Sequence, residues 1–420
     1  MGTTRTFNEM LNEYLSVVLL REELMKRDYV LSKVTQDNSW KGGTIPVPFM
    51  GGESSSVSFG SLTDESDVSE STAVRGELST MPEIWGTLSF NSRDLKEHNG
   101  KIPESTFLKI LPTEIDRFLT HIKMVTSVNM LDGPHFATAT VDGTAGGVLE
   151  VDRVDRFKLG QKVCLIDGNT ASANFYVIAI DVNGGTLKNG AVTLSATRGG
   201  LASADVANYT VAQSAKVYHP GAATGSFTSL KSQLLSAANG GSANLFGKSK
   251  VLYPYLQAIN HDGSGIGEST ILKKIFDFYT RQMILGKAAA APDIVMSFKN
   301  FGACMKLLET QKGAFNVDPG SRKTSQYGFD TIEVGSVTGQ RMKLVAVQEC
   351  PNSEIFMLDW STVKLFSNGF FKWETTPDGI RYYTKRATTG WKFLTDVSFF
   401  GDIAVLAPAN NGIIHSIPNF

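Results

Sequence analysis

Apolar residues recur along this chain in two rhythms, one helical and one strand-like, and one long stretch carries neither. That stretch, 51-GGESSSVSFGSLTDESDVSESTAVRGELST-80, lies between the strand-like runs 44-TIPVPFM-50 and 83-EIWGTLSF-90. A polar connection of this length signals function, a partner or disorder. Flanked by two sheet-forming runs, it predicts a projecting hairpin. An isolated hairpin is marginally stable in water, so such an arm needs another surface to lie on. The competing reading is a flexible surface loop.

The helical rhythm appears first at 7–33, where Met10, Tyr14, Val17, Val18 and Leu20 predict an amphipathic helix or helix pair. It is clearest at 111-LPTEIDRFLTHIKMVTSVNML-131. There Pro112 suits a first turn, Glu114 and Asp116 favour a helix N-terminus, and Ile115, Leu119, Ile122 and Val125 form one stripe with Phe118 beside it. The run 132-DGPHF-136 reads as the turn that ends it. Further helices are expected at 227–240, at 269–287 with Leu272, Ile275, Phe276, Tyr279 and Met283 on one face, and at 299–311. A polar loop is expected at 257–270.

Between these helices the texture is short strands and turns, at 157–167, 174–185, 190–197 and 208–219, with Asp-Gly and Asn-Gly turn signals. This predicts a small antiparallel barrel, bracketed by the linker-like 137–147 and 220–226 and inserted into a host domain. The last hundred residues return to sheet, with strands expected at 342–349, 354–359, 363–367, 381–386 and 391–408 and an apolar end at 412–420.

Composition narrows the class. The chain has 420 residues, 42% hydrophobic and 19% charged, enough for two or three folded domains. A formal net charge of -1 gives no overall footprint for nucleic acid and little repulsion between packed copies. Cys164, Cys304 and Cys350 are odd in number and widely spaced, so buried free thiols are expected and neither a disulfide framework nor a cysteine zinc site. The N-terminus lacks the features of a signal peptide, and no segment is apolar for long enough to span a bilayer, so a soluble protein with no membrane partner is expected.

No catalytic, cofactor or metal signature emerges. His98, His121, His135, His219, His261 and His415 show no metal-ligand spacing; His121 reads as a flank of the long helix and the others as turn or surface residues. Gly263, Gly265 and Gly267 resemble part of a nucleotide loop, but polar residues rather than a hydrophobic strand precede them, and a loop at the edge of a lobe is simpler. Asp64, Glu65, Asp67 and Glu70 lack the ligand rhythm of a calcium loop. The run 381-RYYTKR-386 interleaves bases with aromatics, a weak nucleic-acid signal. The expectation is a non-enzyme that works by interaction.

The element order resembles that of a tailed-bacteriophage major capsid protein of the Hong Kong 97 type. The N-terminal helical arm, the acidic hairpin at 44–90, the helix at 111–131, an α/β lobe and a closing sheet carry the likeness, with 192-VTLSATRGG-200 and 215-AKVYHPG-221 resembling insertions found in such coat proteins. The resemblance implies an α+β fold divided into an N-arm (1–43), an extended loop (44–90), a peripheral domain with a spine helix (91–147), an inserted β-barrel (148–219), an axial α/β domain (220–340) and a closing sheet (341–420). It implies self-assembly as hexamers and pentamers into an icosahedral shell around double-stranded DNA, with a separate scaffolding protein and a portal as assembly partners. It places the chain in the virion, and in the host cytoplasm during assembly. The expected assembly surface is Glu53, Asp64, Glu65, Asp67, Glu70 and Arg75 on the arm, with Gly263, Gly265 and Gly267 near a capsomer axis. The rival readings are another virion structural or adhesion protein, or an enzyme with a barrel accessory domain.

Overall fold

The computed structural model describes residues 28–38, 40, 43–49, 74–78, 81–91, 104–139, 147–167, 170–182, 190–197, 215–220, 227–284, 292–310, 331–335, 341–369, 371–375, 383–387 and 390–418. It is an α+β protein. Its chain divides into two compact units of three segments each: 1–28, 82–227 and 370–400 in the first, and 29–81, 228–369 and 401–420 in the second. Among the described residues the α-helices are α1 (Tyr29–Lys33), α2 (Glu104–Leu131), α3 (Leu230–Leu234), α4 (Ile271–Ile284) and α5 (Phe298–Thr310). The helix expected over 7–33 lies outside the described residues except for α1.

In the first unit, the strand Gly390–Val405 contributes its residues up to Phe400 to an antiparallel sheet. Glu83–Asn91 pairs along one side of it, with Trp85 opposite Ser398. Lys372–Trp373 and Tyr383–Ala387 pair along the other. Strand alternation gives this sheet two faces. On the inner face a Cβ at Gly86 would stand 2.7 Å from Ile122 and 2.9 Å from Phe118, so α2 lies directly against the strand there. Phe118 stacks on Trp373 with ring centroids 6.3 Å apart, and Ile115, Leu119 and Ile122 are buried along the same stripe.

Helix α2 begins at Glu104, about two turns before the expected start. Pro112 therefore sits inside the helix, where it has no N–H to give to the ladder, and not in its first turn. The strong apolar stripe downstream marked the packed half of the helix and left its start unmarked.

The second element of this unit is a six-stranded antiparallel sheet in the order His135–Thr138, Lys216–Tyr218, Lys162–Asp167, Thr170–Asp181, Ala191–Ser195, Val148–Glu150. A bridge between Ala139 and Val151, with Asp152 N donating to Thr138 O at 3.0 Å, ties the two outer strands and closes the sheet on itself. Register shifts in three of its pairings supply the bends that closure needs. The interior is filled by Leu149, Val151, Val163, Leu165, Val177, Val192, Leu194 and Val217, all fully buried. Gly190 has φ +113°, and a Cβ there would meet Val154 at 2.5 Å.

The barrel starts at His135 rather than at 148. Gly133 and Pro134 made 132–136 read as a turn, and the Thr- and Gly-rich run after it read as a linker, whereas the turn feeds straight into the first strand. Of the strand expected over 208–219, the structure describes Lys216–Tyr218.

The second unit is built on a mixed six-stranded sheet in the order Ile259–Asp262, Gly412–His415, Ile355–Leu358, Asp293–Met296, Arg341–Ala346, Thr331–Gly335. Its inner strands read as apolar runs, as strands covered on both faces do. Helix α4 lies over it: a Cβ at Gly412 would strike the Phe278 ring at 2.5 Å, and Ile271, Ile275 and Tyr279 join the same core. Strand Ile259–Asp262 falls in the stretch expected to be a polar loop. Its polar residues Asn260, His261 and Asp262 hid it, but it pairs in parallel with Gly412–His415. A smaller sheet of the same unit sets Thr35–Asp37 parallel to Val363–Ser367, which pairs with residues 401–405 of the long strand.

Candidate assembly surface

The arm has a defined root. Ile45–Pro48 pairs antiparallel with Arg75–Leu78, Ile45 opposite Leu78 and Pro48 opposite Arg75. The partner of the 44–50 run is thus the short RGEL strand, while 83–90 belongs to the sheet of the first unit. Alternation turns Ile45, Val47, Gly76 and Leu78 inward and leaves Pro46, Pro48, Arg75 and Glu77 outside. Of the inward residues, Ile45, Val47 and Leu78 join Phe49, Leu245, Leu256, Phe366 and Leu406 in one apolar cluster. A Cβ at Gly76 would lie 2.6 Å from the Phe49 ring, and Glu77 N donates to Phe246 O at 3.0 Å. Phe49 N donates to Val74 O at 3.0 Å, so the chain leaves and re-enters the root at one place. Arg75 is exposed on this root; Glu53, Asp64, Glu65, Asp67 and Glu70 lie outside the described residues.

Gly263, Gly265 and Gly267 sit together between strand Ile259–Asp262 and α4. Their roles differ. Gly263 is buried where a Cβ would meet His415 O at 2.7 Å, which makes it a close-approach residue; nothing stands within 4 Å of a Cβ at Gly265 or Gly267. The Asp262 carboxylate accepts from Ser264 N at 3.0 Å and Ser264 Oγ at 2.9 Å, Ile266 is buried, and Gly267 N donates to Thr270 Oγ1 at 2.9 Å. The loop is fixed by its own bonds and presents Ser264 and Gly265 to solvent.

The outer face of the first unit's sheet was not anticipated as a site. Glu83, Trp85, Thr87 and Ser89 all point to it, as do their partners Phe400, Ser398, Asp396 and Leu394, Lys392 on the same long strand, and across its other edge Tyr383, Lys385 and Lys372. Trp85 is 54% exposed and Tyr383 41% exposed. Trp85 meets Phe400 edge-on at 6.2 Å, and Tyr383 donates its hydroxyl to Asp396 at 3.0 Å. The signal was present in the sequence: in EIWGTLSF the tryptophan falls on the parity of Glu83, Thr87 and Ser89 rather than that of Ile84 and Leu88. Within RYYTKR, Tyr383 and Lys385 stand on this exposed face.

The remaining polar clusters are interior. Asp402 accepts from Thr228 N, Thr228 Oγ1 and Ile403 N, each at 2.8 Å, and burial still pushes its carboxyl up to about 7. Lys250 gives Nζ to the carbonyls of Ser232, Gln233 and Leu235 at 3.2, 2.6 and 2.9 Å, and burial pulls it down to about 8. His121 and His219 face each other in the first unit at 5.6 Å, with His121 Nδ1 and His219 Nε2 buried and unbonded. Burial pulls His121 down to about 3, helped by His219 and Lys158, and His219 down to about 4. His135 and His415 are buried in strands, and His219 is packed against Phe136 at 4.7 Å, so these are not the turn or surface residues expected. Their neighbours are hidden from local sequence because they arrive by long-range pairing.

All three cysteines are free; Cys304 and Cys350 are buried, and burial pushes the Cys304 thiol up to about 12. Among the described residues no group of three or more His, Cys, Asp or Glu is placed to hold a metal ion, and no helix is long and apolar enough to cross a membrane.

The chain is thus an α+β protein of two units with a closed antiparallel barrel, a clamped arm root and an exposed aromatic sheet face. Among solved structures it is similar to the Cyanophage A-1(L) capsid asymmetric unit, at 12% identity and a TM-score of 0.48 over 99% of this chain and 97% of that one. It is also similar to a chain of Mycobacterium phage Adephagia, at 11% identity and a TM-score of 0.42 over 92% and 89%. A third likeness is to the capsid of a native GTA particle, at 8% identity and a TM-score of 0.41 over 100% and 93%. No protein-family model and no curated protein matches the chain. At these identities no residue role is carried across.

Proposed function

We propose that this chain is the major capsid protein of a tailed bacteriophage, which self-assembles as hexamers and pentamers into an icosahedral shell around double-stranded DNA. The observation that carries this reading is the arm root. A segment of more than twenty residues, 50–73, leaves and returns through a two-stranded base seated in the core of the second unit. A base so firmly held is of use when the segment it carries must reach something outside its own core. Four acidic side chains lie in that segment at 64–70, where basic partners on another copy would set register more than raw affinity.

On this reading α2 is the spine helix, the segment carried between Ile45–Pro48 and Arg75–Leu78 is the extended loop, the residues before it are the N-arm, and the barrel is an inserted domain. The sheet with α4 and α5 is the axial domain, which brings Gly263, Gly265 and Gly267 near a capsomer axis. Each contact between subunits is expected to bury about 2,000 Å² or more, as obligate assemblies do. The chain would work without catalysis, in the virion and beforehand in the host cytoplasm, with a scaffolding protein and a portal as partners. The near-zero net charge supports close packing of many copies.

Expression of the full chain, alone and with a scaffolding protein encoded beside it, followed by negative-stain electron microscopy, tests this. Closed shells, or free hexamers and pentamers, are the expected products. A chain that stays monomeric under both conditions overturns the reading.

A further inference from the structure

We propose that strand Glu83–Asn91 pairs antiparallel with the same strand of a second copy of this chain, across a two-fold axis at Thr87, so that two sheets become one. The inference rests on the self-assembly reading above and names one contact by which copies meet.

Among the described residues Glu83–Asn91 is an edge strand. It pairs with residues 392–400 along one side, and no described backbone group bonds to its other side. Natural edges are kept from pairing by shortness, bulges, lysine or proline. This one runs nine residues in unbroken register and contains neither lysine nor proline. Its inward residues carry the mark of a missing neighbour. Val397 and Phe399 on the adjoining strand are each 1% exposed, whereas Ile84 and Leu88, turned to the same face, stay half-buried. A further strand on this edge would cover both.

The strand suits its own reverse. Full antiparallel overlap of 83–91 with itself sets Thr87 opposite Thr87, Trp85 opposite Ser89 and Gly86 opposite Leu88. A threonine pair is a favourable cross-strand neighbour. Glu83, the one charged residue of the strand, falls at its end, so the two carboxylates would stand about 26 Å apart. Helix α2 clears its counterpart. Phe118 reaches both Gly86 and Trp373, on the strands either side of the long one, so the helix lies over the long strand there. Two such helices, three strand spacings apart, would be separated by about 14 Å, and packed helices need about 8–10 Å.

The test uses the full-length chain. Thr87→Cys sets two thiols opposite one another across the axis, where both antiparallel spacings lie within disulfide reach. Mild oxidation of T87C is expected to yield dimers linked at that position, identified by mass spectrometry. S89C is expected to yield none with itself, because its two copies lie about 13 Å apart along the strands, beyond the limit of about 7 Å for a disulfide. W85K/S89K sets two like-charge pairs across the axis at exposed positions and is expected to lower assembly about tenfold, with thermal unfolding unchanged. Mixing it with W85E/S89E chains restores assembly. Shells formed equally well by W85K/S89K, or self-linking by S89C rather than T87C, overturn the inference alone. So does a loss of assembly that the mixture leaves unrepaired, which would assign the edge to a different strand. A wild-type chain that forms no shells overturns the assembly reading, and this inference falls with it unless T87C still links two copies.

Discussion

The barrel and the Glu83–Asn91 sheet lie in the same unit and are both antiparallel, yet they treat their surfaces in opposite ways. The barrel joins its outer strands through Ala139 and Val151 and fills its interior with aliphatic side chains. Among the described residues, the sheet uses one face for its core. It packs Gly86, Trp373, Val397 and Phe399 inward and leaves Trp85, Tyr383 and two opposed lysines outward. A closed sheet needs nothing further to be stable, whereas an open one with large aromatics in water is the usual form of a surface that binds. The difference separates a self-contained module from a surface built for contact.

The sharpest way to break this comparison is at the base of the barrel. Arg156 is 2% exposed, donates to Phe136 O at 3.0 Å and lies 3.4 Å from Asp132. Burial of this guanidinium is tolerable because backbone and carboxylate oxygens surround it. Arg156→Ala leaves buried acids without their cation and is expected to cost about 3–5 kcal/mol. Chemical denaturation measures it. A loss below about 1 kcal/mol would mean that water replaces the arginine at little cost and that the barrel base is less closed than described.

The inner face of the open sheet is the next target. Gly86→Val places methyl groups where Ile122 and Phe118 already stand, and overpacking of this kind costs about 1–3 kcal/mol. Thermal unfolding should register the loss, and restoring it with Ile122→Ala in the same chain would show that the clash is local. Full stability in the single variant would place α2 farther from the strand than the geometry has it.

Two buried sites give opposite slopes of stability with pH. His121 and His219 are held down to about 3 and about 4, below their unfolded value of 6.5. Their contribution is present above pH 6.5 and is lost as pH falls toward 3. Asp402 in the second unit is pushed up to about 7 from 3.8, so its contribution is present below 3.8 and is lost as pH rises to 7. Relative to wild type, the double variant His121→Gln, His219→Gln should lose less stability between pH 6.5 and 4, and Asp402→Asn less between pH 4 and 7. Difference curves from denaturation at stepped pH check both signs. Parallel curves throughout would show that these groups keep their ordinary values.

Much of this was legible in the sequence, and the part that was not has one physical source. The stripe Ile115, Leu119, Ile122 located α2, and the run of short alternating strands marked the barrel, because both signals are local; the glycines of the Asp-Gly and Asn-Gly turn signals fall outside the described residues. Pairing is not local. Nothing in RGEL says that it pairs with TIPVPFM, and nothing in EIWGTLSF says that its partner lies at 393–400, some three hundred residues away. The strand INHD reads as loop because its pairing with Gly412–His415 supplies what its side chains do not. Of the expected assembly residues, Arg75 lies on the arm root and the glycines on a turn, while the acids of the arm lie outside the described residues. The outer sheet face was missed because a strand's two sides acquire meaning only once one of them is covered.

The smallest expected effect on stability is also the one that tests the comparison most directly. Trp85 is 54% exposed and touches Phe400 only at an edge, so Trp85→Ala removes little buried area and should change the stability of the isolated subunit by no more than about 0.5 kcal/mol. If the face exists for contact, the same substitution should raise the protein concentration needed for assembly, because exposed aromatics become anchors once a partner covers them. Paired measurements of unfolding midpoint and of assembly by light scattering decide the matter. Loss of assembly at constant stability assigns the tryptophan to an interface. Loss of stability without loss of assembly would make the outer face part of the fold's own support, and the contrast with the barrel would disappear.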